Sequence, residues 1–322
     1  MTELAFPIQA SKFPATRFMG SKQKLLPHIA RIVGELDFDQ AIDAFSGSCV
    51  VSYLFKSLGK RVVSNDHMYM SWQAAAALIE NSEVTLGDSQ VERLLGRPKD
   101  NDRFVQRTFK GLYFSDVDNR TIDNVRCNIG RLRRPEARAL ATTALIRACV
   151  KRRPRGIFTF VGDRYDDGRG DLRKSIAEHF VEAVGQLNES IFDNGKRSRA
   201  VIGDALTLRP LKRSLIYLDP PYFTPKSDNE YVRRYHFVEG LARNWSGVEI
   251  QQHTQTKKFK SYETPFSTMD GALWAFDQIF RRFRDSQILV SYSSNALPTL
   301  DQIIELMSRY KKEVTVVPVD HR

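Results

Sequence analysis

The run SLIYLDPPYF, Ser214 to Phe223, carries an apolar, strand-like stretch into a carboxylate, two prolines and two aromatic rings. Proline has no N–H to give a sheet ladder, so the strand must stop near Asp219. A carboxylate fixed at a strand tip beside Pro220 can accept a hydrogen bond from an exocyclic amine. A proline carbonyl can accept a second, and the Tyr222 ring can stack on a planar base. Such an amine is a poor nucleophile because its lone pair is delocalised into the ring. Two acceptors on its hydrogens favour the pyramidal, nucleophilic form that the transition state requires. Taken alone, the motif is also compatible with a strand-terminating turn and a packed tyrosine.

A second constellation lies near the N-terminus. AIDAFSGSCVVSYLF has the form strand, tight turn, helix. Asp43, Phe45, Gly47 and the small residues after them suit a backbone passing close beneath a nucleotide-like ligand, with free N–H groups at the start of the next helix. The following strand ends in SND, about twenty residues on, and Asp66 there can accept hydrogen bonds from ribose hydroxyls. Nicotinamide and S-adenosylmethionine both fit at this point.

These residues need elements to hold them. QAIDAF (40–45), RVVSND (61–66), RAVIGD (199–204), SLIYLD (214–219) and SQILVSYSS (286–294) read as buried strands with polar tips. KQKLLPHIARIVGEL, VVSYLFKSLG, GALWAFDQIFRRFRD and TLDQIIELMSRYKK have helical apolar spacing, and Gly59 is a helix stop. This alternation predicts a mainly parallel α/β sheet, in which ligands bind beyond the carboxyl ends of the strands. Between Asn81 and Gly195 the alternation is lost. That segment reads as an inserted domain, with residues 151–170 as a loop or hairpin.

The chain has 322 residues, 42% hydrophobic and 27% charged, enough for a substantial core and against global disorder. No apolar run approaches the ~20 residues of a membrane span, and the N-terminus does not read as a secretory signal. Three widely spaced cysteines give no disulfide framework or zinc pattern, and the six histidines show no metal spacing; a reducing cytoplasm is expected. The formal charge is +11. Residues 126–174 hold 14 basic and 5 acidic side chains, so most of the excess is local. Such concentration points to a polyanion, with nucleic acid the first candidate. Lys151, Arg152, Arg153 and Arg155 are the densest cluster.

In motif order the chain resembles the adenine-N6 DNA methyltransferases of the α class and the DNA adenine methylase group (D12 type). TRFMGSKQKLLPHI is similar to the family's N-terminal cofactor motif, DAFSGSC to its Phe-x-Gly-x-Gly motif, VVSND to its ribose acid, VIGDAL to the segment facing the cofactor adenine, and YLDPPYF to its catalytic motif. LVSYSSN resembles a segment flanking the target base, and YHFVEGLARNW (235–245) a loop after the catalytic motif. The resemblance implies that Phe18 and Lys22 lie near the methionine end of the cofactor. It places Asp43, Phe45 and Gly47 at the glycine turn, Asp66 on the ribose and Asp204 at the cofactor adenine. Asp219, Pro220 and Tyr222 would hold a flipped target adenine. The sequence departs from the pattern at Cys49, where the family has its second glycine.

The fold expected is a Rossmann-like methyltransferase sheet, with a catalytic domain split between residues 1–80 and 196–322 and a target-recognition insertion at 81–195. The expected activity is methyl transfer from S-adenosylmethionine, without a metal, to adenine N6 in duplex DNA. A cognate restriction endonuclease is a further expected partner. The alternatives are N4-cytosine methylation, which more usually has Ser in place of Asp219, RNA adenine methylation, and a DNA-binding protein on a decayed methyltransferase scaffold.

Overall fold

A computed structural model describes residues 6–162, 166, 168–223 and 230–320. Its centre is a parallel sheet of five strands in the order β3-β2-β1-β4-β5. The strands are β1 (Gln40–Asp43), β2 (Arg61–Asp66), β3 (Arg199–Ile202), β4 (Ser214–Leu218) and β5 (Gln287–Val290). All four pairings are parallel, with Asp43 opposite Ser64 on β2 and opposite Tyr217 on β4. The chain order reverses between β1 and β4, so a crevice opens at their carboxyl ends, the usual ligand position in such sheets.

Both faces of the sheet are covered, which is why its central strands read as continuous apolar runs. Side chains alternate across it. Ile42, Ile216 and Leu218 pack under α11 (Met269–Arg282) and α12 (Leu300–Ser308). Ala41, Leu215 and Tyr217 face the opposite layer. That layer begins with α1 (Ile8–Ser11), α2 (Leu26–Gly34), α3 (Val50–Ser57) and α4 (Tyr69–Ala75). It continues with α5 (Asp88–Leu95), α6 (Phe104–Thr108), α7 (Asp116–Ile129), α8 (Pro135–Arg152), α9 (Ile176–Ser190) and α10 (Tyr231–Ala242).

Residues 81–195 lose the strand–helix alternation because they are helical. Their buried residues Val91, Leu94, Ile122, Leu140, Leu145 and Leu187 belong to the same buried cluster as Val50, Leu54 and Leu215. Long helices buried along most of their surface, as α8 is, show no amphipathic period, so sequence patterning could not attach them to the sheet. Two local expectations differ from the structure. The basic stretch after α8 enters a short 3-10 turn, Pro154–Gly156, and forms no hairpin among the described residues. Residues 235–245 are mostly helix α10 rather than a loop.

Candidate active site

Asp219 follows β4 directly, and both its oxygens are engaged. Oδ2 accepts a hydrogen bond from Lys22 Nζ at 2.6 Å and Oδ1 one from the Tyr222 hydroxyl at 2.7 Å. Burial pushes the Asp219 carboxyl above the usual range, and the Lys22 ammonium opposes that shift. Lys22 Nζ also lies 5.5 Å from the centroid of the Tyr222 ring. Ser291, just beyond β5, accepts a second, longer contact from the Tyr222 hydroxyl at 3.3 Å, and Tyr292 meets the Tyr222 ring edge-on at 5.3 Å. The segment after β5 therefore does flank the DPPY turn. Pro220 is buried in that turn, and Pro221 lines the cleft beside it. Residues 224–229 lie outside the described residues.

The cleft has a volume of about 850 Å³, counting space open to solvent. Phe18, Lys22, Asp43, Phe45, Gly47, Asp66, Asp204 and Asp219 all line it. These eight residues, from four strand tips and the N-terminal loop, thus meet in one place, and Tyr222 joins them through its bond to Asp219. Gly47 has φ +49°, and an added Cβ would stand 3.0 Å from the Phe18 ring, so both its conformation and the close approach require glycine. Asp66 holds the turn: its Oδ2 accepts the Gly47 N–H and its Oδ1 the Met68 N–H, each at 2.8 Å. Asp204 caps the turn after β3 through the Leu206 N–H at 2.9 Å. Phe45 packs edge-on against Phe266, which forms the facing wall.

Asp43 is almost fully buried, and its carboxyl is pushed up to about 7, chiefly by burial, with the Ser52 hydroxyl bond opposing. Ser52 Oγ donates to Oδ2 at 2.6 Å, while Oδ1 is buried with no hydrogen-bond partner. Ser21 Oγ, also on the cleft, is likewise buried and unpartnered. An orphaned acceptor of this kind calls for a donor from a ligand, and the ammonium of an amino acid group is a suitable one. The site therefore fits S-adenosylmethionine, with polar requirements at the Asp43 end and carboxylates at Asp66 and Asp204 for hydroxyl and amine donors. Among the described residues, no group of three or more His, Cys, Asp or Glu side chains is placed to hold a metal.

Cys49 occupies the N-cap of α3 with φ +66°, which explains why a glycine belongs there. Its side chain is fully buried, its thiol reaches the Ser71 carbonyl at 3.4 Å, and it does not line the cleft. The departure from glycine thus falls on the core side of the turn.

The basic tract divides into buried and accessible side chains. Arg153 is fully buried. Its guanidinium donates to the carbonyls of Ile157 at 3.2 Å, Gly162 at 2.8 Å and Phe160, and lies over the rings of Tyr113 and Phe160. It organises its own loop and is not available to a nucleic acid. Lys151 is half-buried near Glu182 (3.5 Å) and Asp171 (4.0 Å), and Arg152 faces Asp118 at 3.5 Å. Arg155 is exposed.

Sequence reasoning missed the aromatic wall of the cleft. Tyr231 and Tyr235 of α10 stack on Phe18 at 5.9 and 5.4 Å, and the Tyr235 hydroxyl accepts the Met19 N–H at 2.9 Å. A second cleft, lined by Tyr69, Trp72, Arg126, Arg138, Arg243 and others, lies between α4, α7, α8 and the end of α10. Trp245, by contrast, is a packing residue, set among Phe104, Phe109 and Phe237.

A Rossmann-like sheet with a carboxylate-Pro-Pro-Tyr turn beside an acid-lined nucleotide cleft defines the class of S-adenosylmethionine-dependent methyltransferases that act on amines. The family model for D12 class N6 adenine-specific DNA methyltransferases matches residues 18–295, and the chain belongs to that family. It is similar to the type II methyltransferase M2.HphI of Haemophilus parahaemolyticus, with 26% identity covering 96% of this chain and 92% of that protein. It is 24% identical to the modification methylase StsI of Streptococcus sanguinis and to the type II methyltransferase M.FokI of Planomicrobium okeanokoites. Each of those matches covers 91% of this chain but only 46% and 47%, respectively, of the relative, so the chain spans about half the length of either. No solved structure matches the chain. No helix among the described residues is long and apolar enough to cross a membrane.

Proposed function

We propose that this N6 adenine-specific DNA methyltransferase modifies one recurring site in duplex DNA, as the modification enzyme of a restriction–modification system, and that the cleft at Asp219 carries out the transfer. The observation that carries this reading is the convergence of Asp43, Asp66, Asp204 and Asp219, each at or just beyond a strand tip, on one cleft. When bound, S-adenosylmethionine would supply an electrophilic methyl group on a sulfonium, with sulfur keeping the C–S electron pair on transfer to N6.

The chain's own groups do the rest. Asp43 receives the ammonium of the methionine moiety, Asp66 accepts ribose hydroxyls, and Asp204 faces the cofactor adenine. Phe18 and Phe45 wall the cofactor in. The target adenine must leave the stack to expose its amine, at a cost of a few kcal/mol that stacking on Tyr222 partly offsets. Asp219 then accepts an N6 hydrogen, with Lys22 keeping the buried carboxylate ionised; the Pro220 carbonyl accepts the other. Each carboxylate oxygen can accept two hydrogen bonds, so Asp219 can take the amine beside its contacts with Lys22 and Tyr222. The surplus proton leaves N6 along the same hydrogen bond. Positioning of the two substrates is a large part of the rate.

Residues 81–195 serve in this reading as the target-recognition region. Support comes from the basic excess at residues 126–174. Lys151, Arg152 and Arg155 are assigned to the phosphate backbone, and Arg153 to holding their loop. Incubation of the purified protein with unmethylated duplex and S-adenosylmethionine, followed by nucleoside analysis, tests the reading: N6-methyladenine is expected, and its absence would refute it.

A further inference from the structure

One buried carboxylate near the cofactor cleft has no part in the reaction above. Glu239 is fully buried in α10, yet its carboxylate bonds to Tyr69, Met70 and Tyr262, all off that helix. Its Oε1 accepts the Tyr69 N–H at 2.9 Å and the Tyr262 hydroxyl at 2.7 Å, and its Oε2 accepts the Met70 N–H at 2.9 Å. The first turn of α4 has no side-chain cap of its own, and Glu239 fills that role from 169 residues away. Leaving such N–H groups unpaired inside a protein is costly.

Three walls of the cleft meet at this carboxylate. Asp66 fastens the Gly47 and Met68 N–H groups, and Glu239 takes the next two N–H groups along the chain. Tyr262, held by Glu239 and by Arg243 at 3.1 Å, precedes Thr264 and Phe266 on the cleft wall. The other end of α10 carries Tyr231 and Tyr235 against Phe18 and Met19, directly after the segment that follows the catalytic tyrosine. The helix is thus a strut between the target-base side and the cofactor side of the site.

We propose that Glu239 is a positioning residue that aims Asp66 and the Phe266 wall at the cofactor and ties their placement to α10. The proposal rests on the reading of Asp66 as the ribose acid. Glu239→Gln keeps the side chain's shape but sets an amide N–H against one of the N–H groups it now accepts. The KM for S-adenosylmethionine, measured on unmethylated plasmid DNA, should rise about tenfold or more, while kcat at saturating cofactor falls far less. A merely structural role would lower the melting temperature and the active fraction but leave KM unmoved. Tyr262→Phe, which spares both bonds to α4, should raise KM by a smaller factor; it carries the same test should the glutamine variant not fold. Asp66→Ala separates the two readings. If Asp66→Ala raises KM and folded Glu239→Gln and Tyr262→Phe do not, the Glu239 link is wrong and the ribose assignment stands. If Asp66→Ala itself leaves KM unchanged, the ribose assignment fails.

Discussion

Lys22 and Asp219 are 197 residues apart in sequence and joined by a 2.6 Å ion pair at the mouth of β4. Both side chains are largely shielded, so the pair is a strong determinant of the charge on Asp219. Lys22→Met should leave Asp219 buried without its cation and raise its carboxyl further. The acidic limb of the pH–kcat/KM profile should then move to higher pH by about a unit or more. An unmoved limb would mean that Lys22 serves the cofactor alone.

The Tyr222 hydroxyl and the Tyr222 ring do separable things. Tyr222→Phe removes the 2.7 Å bond to Asp219 and keeps the ring. It should lower kcat by about tenfold while the KM for DNA changes little. Tyr222→Ala also loses base stacking, worth roughly 1–3 kcal/mol, and should be the more damaging variant. Equal kinetics for the two would exclude stacking.

Asp43 makes the cofactor site pH-dependent. Its folded carboxyl holds a proton to about pH 7, whereas an unfolded one releases it near 3.9. Folding therefore takes up a proton between these values, and rising pH removes stability through that window. An ammonium donor favours the ionised form, so cofactor affinity should climb from pH 5.5 to about 7.5. Calorimetric titration should show this climb in the wild type and a much flatter profile in Asp43→Asn. The apo Asp43→Asn protein should also melt higher than wild type at pH 8, an advantage that disappears toward pH 4.

Much of this site was legible because chemistry in parallel sheets collects at strand tips. SND, VIGD and YLDPPY each announce a strand by an apolar run and its end by a polar or proline break. Glu239 was not legible: a carboxylate whose partners are backbone N–H groups on a distant helix leaves no trace in local pattern. Arg153 misled for a related reason. A run of arginines reads as exposed charge, yet a guanidinium has five donors and can be consumed by carbonyls of its own loop. How residues 81–195 attach to the sheet was not legible either, because the burial of α8 along most of its surface erases the period that would have shown which face meets the sheet.

Cys49 offers a test of how tolerant the glycine turn is. At φ +66° a β-branched side chain is strongly disfavoured. Cys49→Val should destabilise the protein by about 1–3 kcal/mol. Cys49→Gly should stay close to wild type in melting temperature, relief of strain offsetting the smaller buried surface, with cofactor affinity within about threefold. A large gain in affinity in the glycine variant would show that the cysteine impairs the cofactor turn.

The divided basic tract predicts two different phenotypes. Lys151→Ala, Arg152→Ala and Arg155→Ala combined should flatten the dependence of duplex affinity on salt, by about 0.9 in log–log slope for each phosphate no longer neutralised. Arg153→Ala should instead lower the melting temperature, because three loop carbonyls are deprived of their donor. A triple variant with unaltered slope would move the DNA surface elsewhere, with the cleft of Trp72, Arg138 and Arg243 the next place to test.

Asp219 stands at the centre of the proposed reaction, directing methyl transfer to adenine N6 in duplex DNA. The most direct measurement is to methylate an unmodified plasmid with purified wild-type and Asp219→Ala protein and locate every modified base by long-read sequencing. The wild type should leave N6-methyladenine at one recurring sequence, and Asp219→Ala none despite an unchanged melting profile. Methylcytosine, or undiminished adenine methylation by the variant, would contradict this role.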